Sequence, residues 1–443
     1  MSHPADRLEP ESAPPWWELL GAGVILALLT GAVIGPVFAP TQAETPILRL
    51  IWLPVYAWTV VMVGLRIKKI GSAWPALIAL LMLVGLTFIS KYWSIDPSTT
   101  SRRVLAMAMS GTFAVYIGAV FRGPHLPRLL MHTGLVLGVG SLLFVFLLPR
   151  IGVHQDVNAG LWRGLWYEKN QMGIVMTACA VASAAVLASD LRRWLIPLGT
   201  VGLSSLLVLG TQSKTSLLCL MLGLGLVGAL WAMRKGGPVL TIVGAWLAVV
   251  GGGGGVWLWN TQSAAILEAL GKDPTLTGRT HIWASLMRRV AERPWTGYGY
   301  NAFWGKESIP AMYVRRETGW AVPSAHNGWI DLLVQLGWPG AVLVGSLMLI
   351  AALVTLWRLD GAGAREGGWG FAYLCVFFML SLSESVLMSH QSLPWTLVLA
   401  IFTRAMLPAP LPARAPLARR GRQAYVAGSR IASSYAHGRP VLL

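Results

Sequence analysis

Charge is what this sequence has least of. Only 12% of its 443 residues are Asp, Glu, Lys or Arg, against roughly 25% in a soluble domain. Acids are the scarcer sign, 18 against 35 basic residues, which leaves a formal net charge of +17. Cysteine is limited to Cys179, Cys219 and Cys375, each in its own apolar run. That excludes a disulfide scaffold and a Cys-based zinc site, whose ligands must sit at short spacing. The three read as small packing residues. The sequence has no Asp-x-Asp and no His-x-x-x-His, so neither metal nor other cofactor is expected. No cleavable signal peptide is apparent, because the first apolar run follows an acidic leader and is long enough to span.

Apolar residues are what is abundant: 55% hydrophobic, with 22 Trp and 49 Gly. Glycine and interfacial Trp are enriched in membrane spans. This excludes a soluble globular enzyme and a disordered regulator. Runs approaching the ~20 residues of a bilayer crossing recur along the chain, and they predict an all-α polytopic membrane protein with about 12 transmembrane helices. Residues 1–16 are a cytoplasmic leader. Nine spans fall in 17–258, the first at 17–39, the eighth at 215–233 and the ninth at 238–258. Three more fall in 339–407, at 339–357, 369–387 and 393–407. Residues 259–338 form one long helical loop, and 408–443 a basic, disordered cytoplasmic tail that could lie on anionic membrane lipid.

Orientation follows from the short loops. Arg66-Ile67-Lys68-Lys69, Arg122 to Arg128, Arg192-Arg193 and Arg234-Lys235 occupy alternate turns, which is the positive-inside pattern of cytoplasmic loops. It accounts for much of the basic excess without nucleic acid, which is not expected as a partner. The other turns then face the periplasm of a bacterial inner membrane. They hold the polar sequence: 93–103, 154–171, 211–214, 259–338 and 384–391. In the long loop, 277–292 reads as a helix capped by Thr277, and 323–338 as a second helix ending before Pro339. The run Gly251–Gly255 permits either close helix packing or an unwound stretch, packing being favoured. It is no phosphate loop, since no Lys-Ser or Lys-Thr follows.

Those outer turns carry basic residues that the positive-inside rule does not predict. Among them are Arg163, Lys169, Lys214, Arg279, Arg288 and Arg289. A cationic pocket beside the membrane suits a phosphate or pyrophosphate headgroup, whose oxygens Arg binds through paired, charge-assisted hydrogen bonds. The alternative is anionic lipid or nearby acids, and it weighs most for Arg288 and Arg289. His326, in Ser324-Ala325-His326-Asn327-Gly328-Trp329, stands where the long loop returns to the membrane. Its imidazole could accept a proton from an attacking hydroxyl, although a lone His is more often structural. Glu384, near the outer end of a span, is either a functional group at membrane depth or the partner that holds an active-site Arg.

Three elements in this order resemble the O-antigen ligase and polysaccharide polymerase superfamily of bacterial membrane proteins. They are Gly164-Leu165-Trp166-Tyr167-Glu168-Lys169-Asn170-Gln171, then Gly278-Arg279-Thr280-His281 with Arg293-Pro294-Trp295-Thr296-Gly297-Tyr298-Gly299, then the His326 motif with Gly337-Trp338-Pro339-Gly340. Trp93 to Pro97 and Gln212 to Ser216 match further family positions. The resemblance implies a C-type glycosyltransferase-like fold. It implies metal-independent, inverting transfer of a glycan from undecaprenyl pyrophosphate to a saccharide or lipid A-core acceptor, in O-antigen or exopolysaccharide synthesis.

Carried onto this sequence, His326 and Arg279 are the catalytic candidates. Arg163, Lys169, Asn170, Lys214, Arg288, Asn327 and Glu384 are the substrate-binding candidates. Lys214 stands where many relatives show Arg, and an ammonium grips phosphate less rigidly. The Glu-Lys-Asn and Ser-Glu-Ser elements look closer to exopolysaccharide polymerases than to ligases. The competing class is a transporter or flippase of lipid-linked oligosaccharides, but the two-half repeat and midplane charges of that class are not evident.

Overall fold

The computed structural model describes residues 13–34, 46–156, 158–269, 279–359, 366 and 368–408. The leader before residue 13, the tail after 408, and the proposed cap Thr277 lie outside the described residues. What is described is all-α. The elements are α1 (Trp16–Leu29), α2 (Pro46–Leu65), α3 (Ile67–Gly71), α4 (Trp74–Ile89), α5 (Pro97–Val120), α6 (His125–Leu147), α7 (Pro149–Gly152) and α8 (Lys169–Ser189). They continue with α9 (Leu195–Thr211), α10 (Lys214–Ala269), α11 (Arg279–Glu292), α12 (Ile309–Thr318), α13 (Gly328–Trp357), α14 (Trp369–Ser381) and α15 (Leu393–Met406).

The expectation of about twelve spans is corrected. Among the described residues, six helices are long and apolar enough to cross a membrane: 74–93, Pro97–Val120, His125–Leu147, Lys169–Ser189, 214–237 and Gly328–Trp357. The apolar runs overcounted because they included residues that end as turns rather than helix. In the run 17–39 the helix ends at Leu29 and residues 35–39 lie outside the described residues, and in the run 369–387 the helix ends at Ser381. The 13 residues of α14 and the 14 of α15 rise only about 20 Å at 1.5 Å per residue, short of the ~30 Å hydrocarbon core. The eighth and ninth runs are not two helices joined by a loop. Helical assignment is continuous from Lys214 to Ala269, with a left-handed break at Gly237 (φ +67°). The backbone through Gly251–Gly255 is helical, not unwound.

Helix α8 is the centre of the bundle. Its sequence is dominated by Ala, Ser, Val and Cys, and it packs against α6, α9, α10 and α14. In lipid, burial of apolar surface gives little drive, so close approach of small side chains takes over. Cys179 and Cys219 are buried thiols without a disulfide.

The bundle has two chemically distinct ends. At one, Arg66 pairs with Glu18 at 2.5 Å. Arg122 reaches Ser72 Oγ at 3.4 Å, Arg404 the Gly123 carbonyl at 2.8 Å, and Arg234 the Leu359 carbonyl at 3.4 Å. Each of these cations binds a helix end or the turn beside it. At the other end, Trp166 Nε1 donates to the Thr30 carbonyl at 2.9 Å, and Trp93 Nε1 to the Thr296 carbonyl at 2.8 Å. Gln391 donates to the Tyr56 hydroxyl at 2.5 Å. The segments singled out in the sequence collect here.

The expected helix over 323–338 is also corrected. It starts at Gly328, breaks at Gly337 (φ +63°) and resumes through Pro339. Pro339 has no N–H, so the Gln335 carbonyl loses its helical donor. Gly299 N–H supplies one at 3.0 Å, and Tyr298 N–H donates to the Val334 carbonyl at 2.8 Å. In return, Trp338 N–H donates to the Pro294 carbonyl at 2.8 Å. The Arg-Pro-Trp-Thr-Gly-Tyr-Gly and Gly-Trp-Pro-Gly motifs are thus the two halves of one backbone splice. The Trp93 motif joins them: Ile95 N–H donates to the Tyr298 carbonyl at 3.1 Å, and Arg293 reaches the Trp93 carbonyl at 3.4 Å.

Candidate functional site

Two of the sequence-derived catalytic candidates meet over one carboxylate. Arg279 is the first residue of α11. Its Nη1 donates to the Ser383 carbonyl at 2.8 Å, and its Nη2 lies 3.9 Å from Glu384 Oε1. The other oxygen, Oε2, lies 4.0 Å from His326 Nδ1. Both separations exceed hydrogen-bond length, so the carboxylate faces each group without a direct hydrogen bond to either. All three are partly accessible, with side-chain exposures of 28% for His326, 21% for Arg279 and 15% for Glu384.

The loop presenting His326 is held tightly. His326 itself is left-handed (φ +47°), a conformation that costs a non-glycine residue free energy and persists only when neighbours impose it. The neighbours are visible. Trp283 Nε1 donates to the Ala325 carbonyl at 2.9 Å. Ala325 N–H faces both oxygens of buried Asp331 at 3.4 Å, and Trp304 Nε1 donates to the same carboxylate at 2.7 Å. Asn327 is beside the site but has a structural task. Its Oδ1 caps α13, accepting from Trp329 and Ile330 N–H at 3.0 and 3.2 Å. Trp329 Nε1 then donates to Ser381 Oγ at 3.0 Å, which ties the start of α13 to the turn carrying Glu384.

The first motif builds a neighbouring cationic lobe. Lys169 opens α8 and Lys214 opens α10, and the two ammonium groups are close enough for their charges to interact. Buried His154 accepts the Lys169 N–H through Nε2 at 3.2 Å, so Nδ1 carries the ring proton and faces Asp156 Oδ1 at 3.3 Å. Asp156 sits below the usual carboxylate range, chiefly because Asn158 N–H donates to it. Arg163 is directed at its own loop, donating to the Ile151 carbonyl at 2.8 Å and the Tyr167 carbonyl at 3.5 Å. Asn170 lies one residue into α8, and its side chain makes no hydrogen bond among the described residues. Helix α14 connects the lobes. Cys219, on α10 beyond Lys214, donates to the Val376 carbonyl at 3.9 Å.

Arg288 is not brought in. It pairs with Glu317 of α12 at 2.5 Å, and both are on the surface. That contact braces α11 against α12.

Two groups were missed in the sequence. Asp331 was not singled out in the sequence, and only the contacts above reveal it as the support of the His326 loop. The second is a buried cluster around His390. Arg103 Nη1 is 2.7 Å from its Nε2, and the Asn301 side-chain amide is 3.1 Å from its Nδ1. Burial, aided by the Arg103 charge, pushes the His390 imidazole down to about 3. A neutral ring accepts from Arg103 through Nε2 and donates through Nδ1, so the Asn301 amide is oriented with its oxygen inward. Asn301, Met388 and Gln391 are all left-handed. Strained backbone on both sides of one buried ring was invisible to motif reading.

Among the described residues, no three His, Cys, Asp or Glu side chains converge in a way that would hold a metal ion. The arrangement offers an imidazole beside a carboxylate, a guanidinium on the same carboxylate, and two ammonium groups one helix away.

Comparison with known proteins places these residues in context. The O-Antigen ligase family matches residues 199–345, a stretch that includes Lys214, Arg279 and His326. The "Exopolysaccharide production protein ExoQ" of Rhizobium meliloti is 27% identical over 326 residues, covering 70% of each chain. The "General O-oligosaccharyltransferase" of Acinetobacter baylyi is 35% identical over 82 residues, which are 18% of this chain and 13% of that one. These similarities link the chain to the superfamily of O-antigen ligases and exopolysaccharide polymerases, and to no particular member of it. The structure itself shows a multi-pass membrane protein.

Proposed function

We propose that this protein transfers a glycan from undecaprenyl pyrophosphate to a hydroxyl acceptor at the periplasmic face of the bacterial inner membrane, in the synthesis of a surface polysaccharide. The observation that carries this reading is Glu384 set between His326 and Arg279. The side assignment is supported by the arginines of the opposite end, which follow the positive-inside pattern.

The chemistry needs a base and a stabilised leaving group. With Glu384 facing Nδ1, the ring proton is favoured on that nitrogen and Nε2 is left as the base. The acceptor hydroxyl gives its proton to Nε2, and its oxygen attacks the anomeric carbon. The bond from that carbon to the pyrophosphate oxygen breaks on the opposite face, so the configuration inverts. The departing pyrophosphate takes the electron pair. Arg279, with Lys169 and Lys214 from the neighbouring lobe, meets that developing charge, as preorganised cations do most effectively in a water-poor site. No covalent enzyme intermediate is required.

The test is complementation of a deletion strain with wild type, His326→Ala or Arg279→Ala, with membrane abundance of each variant checked. Loss of surface polysaccharide in both variants at normal abundance is expected. Missing long chains then identify a polymerase, whereas lipid-linked polymer beside bare lipid A-core identifies a ligase. Full activity of both variants overturns the reading.

A further inference from the structure

A cleft of about 1010 Å³ lies between the segment 95–98, the end of α11 and the stretch 302–313, and His326 is not among the residues that line it. We propose that it is a second binding site, taking an uncharged stretch of the glycan chain several sugars away from the reacting end. This inference rests on the glycan-transfer reading and names where the chain runs.

The lining mixes apolar side chains such as Ile95 and Ile309 with an electrically balanced set of charges. Asp96, Glu292 and Glu307 stand against Arg289, Arg293 and Lys306. A site for a phosphate headgroup would carry a cationic surplus, and a site for an acyl chain would not set three acids and three cations in its wall. Neither describes this cleft. Most of its charges are held in fixed positions. Glu292 receives Arg289 at 2.6 Å on one oxygen and the Tyr298 hydroxyl at 2.5 Å on the other. The Arg293 guanidinium lies over the Tyr298 ring at 4.9 Å, and the Arg289 guanidinium over the Tyr313 ring at 5.5 Å. Asp96 is occupied in capping α5.

What is left for a ligand is a matched pair and a ring. Lys306 and Glu307 are exposed and make no ion pair or side-chain hydrogen bond among the described residues. Tyr313 is half exposed. A sugar hydroxyl both donates and accepts, and the C–H face of a pyranose stacks on an aromatic ring. Donors, acceptors and a tyrosine ring together suit that chemistry. The volume stands at the upper end of the roughly 300–1,000 Å³ typical of ligand pockets, room for more than one sugar ring.

The placement follows from α11. Arg279 stands at its first residue and Glu292 at its last, about 20 Å apart at 1.5 Å per residue. One rigid helix therefore spans the distance from the reacting end to the cleft.

The experiment uses the full chain purified into nanodiscs. The probe is the source cell's own surface polysaccharide, released from lipid by mild acid and sized into one-repeat and multi-repeat fractions. Expected is saturable binding of the multi-repeat fraction, at least tenfold weaker for Tyr313→Ala and for the double variant Lys306→Ala/Glu307→Gln. Tyr313→Phe, which keeps the ring, binds within threefold of wild type. Thermal unfolding of each variant confirms that it is folded. Equal binding by all folded variants, or no binding of any fraction, overturns the proposal. His326→Ala separates the two readings. If it abolishes polysaccharide while the cleft variants bind normally, only the cleft assignment falls. If it leaves polysaccharide unchanged, the transfer reading fails whatever the cleft binds.

Discussion

Glu384 faces His326 across 4.0 Å, Oε2 to Nδ1, while its other oxygen faces Arg279. Arg279 comes from the first residue of α11, His326 from the loop just before α13, and the carboxylate from the turn after α14. If Glu384 sets the imidazole tautomer, Glu384→Gln removes the charge and keeps the shape. Transfer should fall about 10²- to 10⁴-fold, the usual contribution of a positioned acid–base group. The measure is glycan transfer in membranes at equal protein abundance. Wild-type transfer by this variant would remove Glu384 from the mechanism.

Asp331 acts through the His326 loop. Asp331→Ala leaves Ala325 N–H and Trp304 Nε1 without their acceptor, and each orphaned buried donor costs about 1–3 kcal/mol. We expect a lower unfolding temperature and a fall in turnover with little change in donor KM. Asp331→Asn retains an acceptor oxygen and should recover part of both. A change confined to KM would argue against a positioning role.

His390 makes stability depend on pH. Its folded value, pushed down to about 3, lies below the ordinary 6.5 of histidine. The neutral ring therefore contributes stability that is fully present above about pH 6.5. That contribution is lost as pH falls toward 3, because the unfolded chain takes up the proton first. Thermal unfolding measured between pH 7 and pH 4 should show a shallower acid slope for His390→Gln than for wild type. Identical slopes would show that the ring is not held neutral.

Gly299 is left-handed at φ +98°, and a Cβ there would stand 2.3 Å from Ser94 Oγ and 2.7 Å from Ser94 Cα. Gly299→Ala must displace the Trp93 segment or the splice at Gly337. The expected outcome is loss of folded protein, read as increased protease sensitivity in membranes. Gly305→Ala, whose Cβ meets nothing closer than 3.5 Å, serves as the tolerated control.

Asp96 caps α5 through Oδ1, accepting from Thr99 N–H at 2.9 Å. Bonds from Thr99 hold its carboxyl down at about 2. Loss of such a cap costs about 1 kcal/mol, so Asp96→Ala should lower the unfolding temperature and Asp96→Asn should not. Equal melting of both variants would show that the cap is not needed.

The motifs were legible because short polar patterns in an apolar chain stand out. His326, Arg279 and Glu384 were each singled out that way, and the structure brings them together. Their neighbours were harder. Asp331 and His390 gain meaning only from groups far away in sequence, Trp304 and Arg103. Arg288 and Asn327 carried the right chemistry for substrate, but Glu317 and the α13 N-terminus engage them first.

By itself the sequence determined that this is an all-α, multi-pass membrane protein, because composition and apolar run length are local properties of the chain. Where helices end is not local. The α14 helix stops at Ser381, inside an apolar run, and α13 breaks at Gly337. That break persists because Tyr298 and Gly299, from a distant segment, satisfy the carbonyls it exposes. Only the tertiary structure decided the six spanning helices among the described residues and the carboxylate shared by His326 and Arg279. Both depend on which polar groups find partners across the bundle.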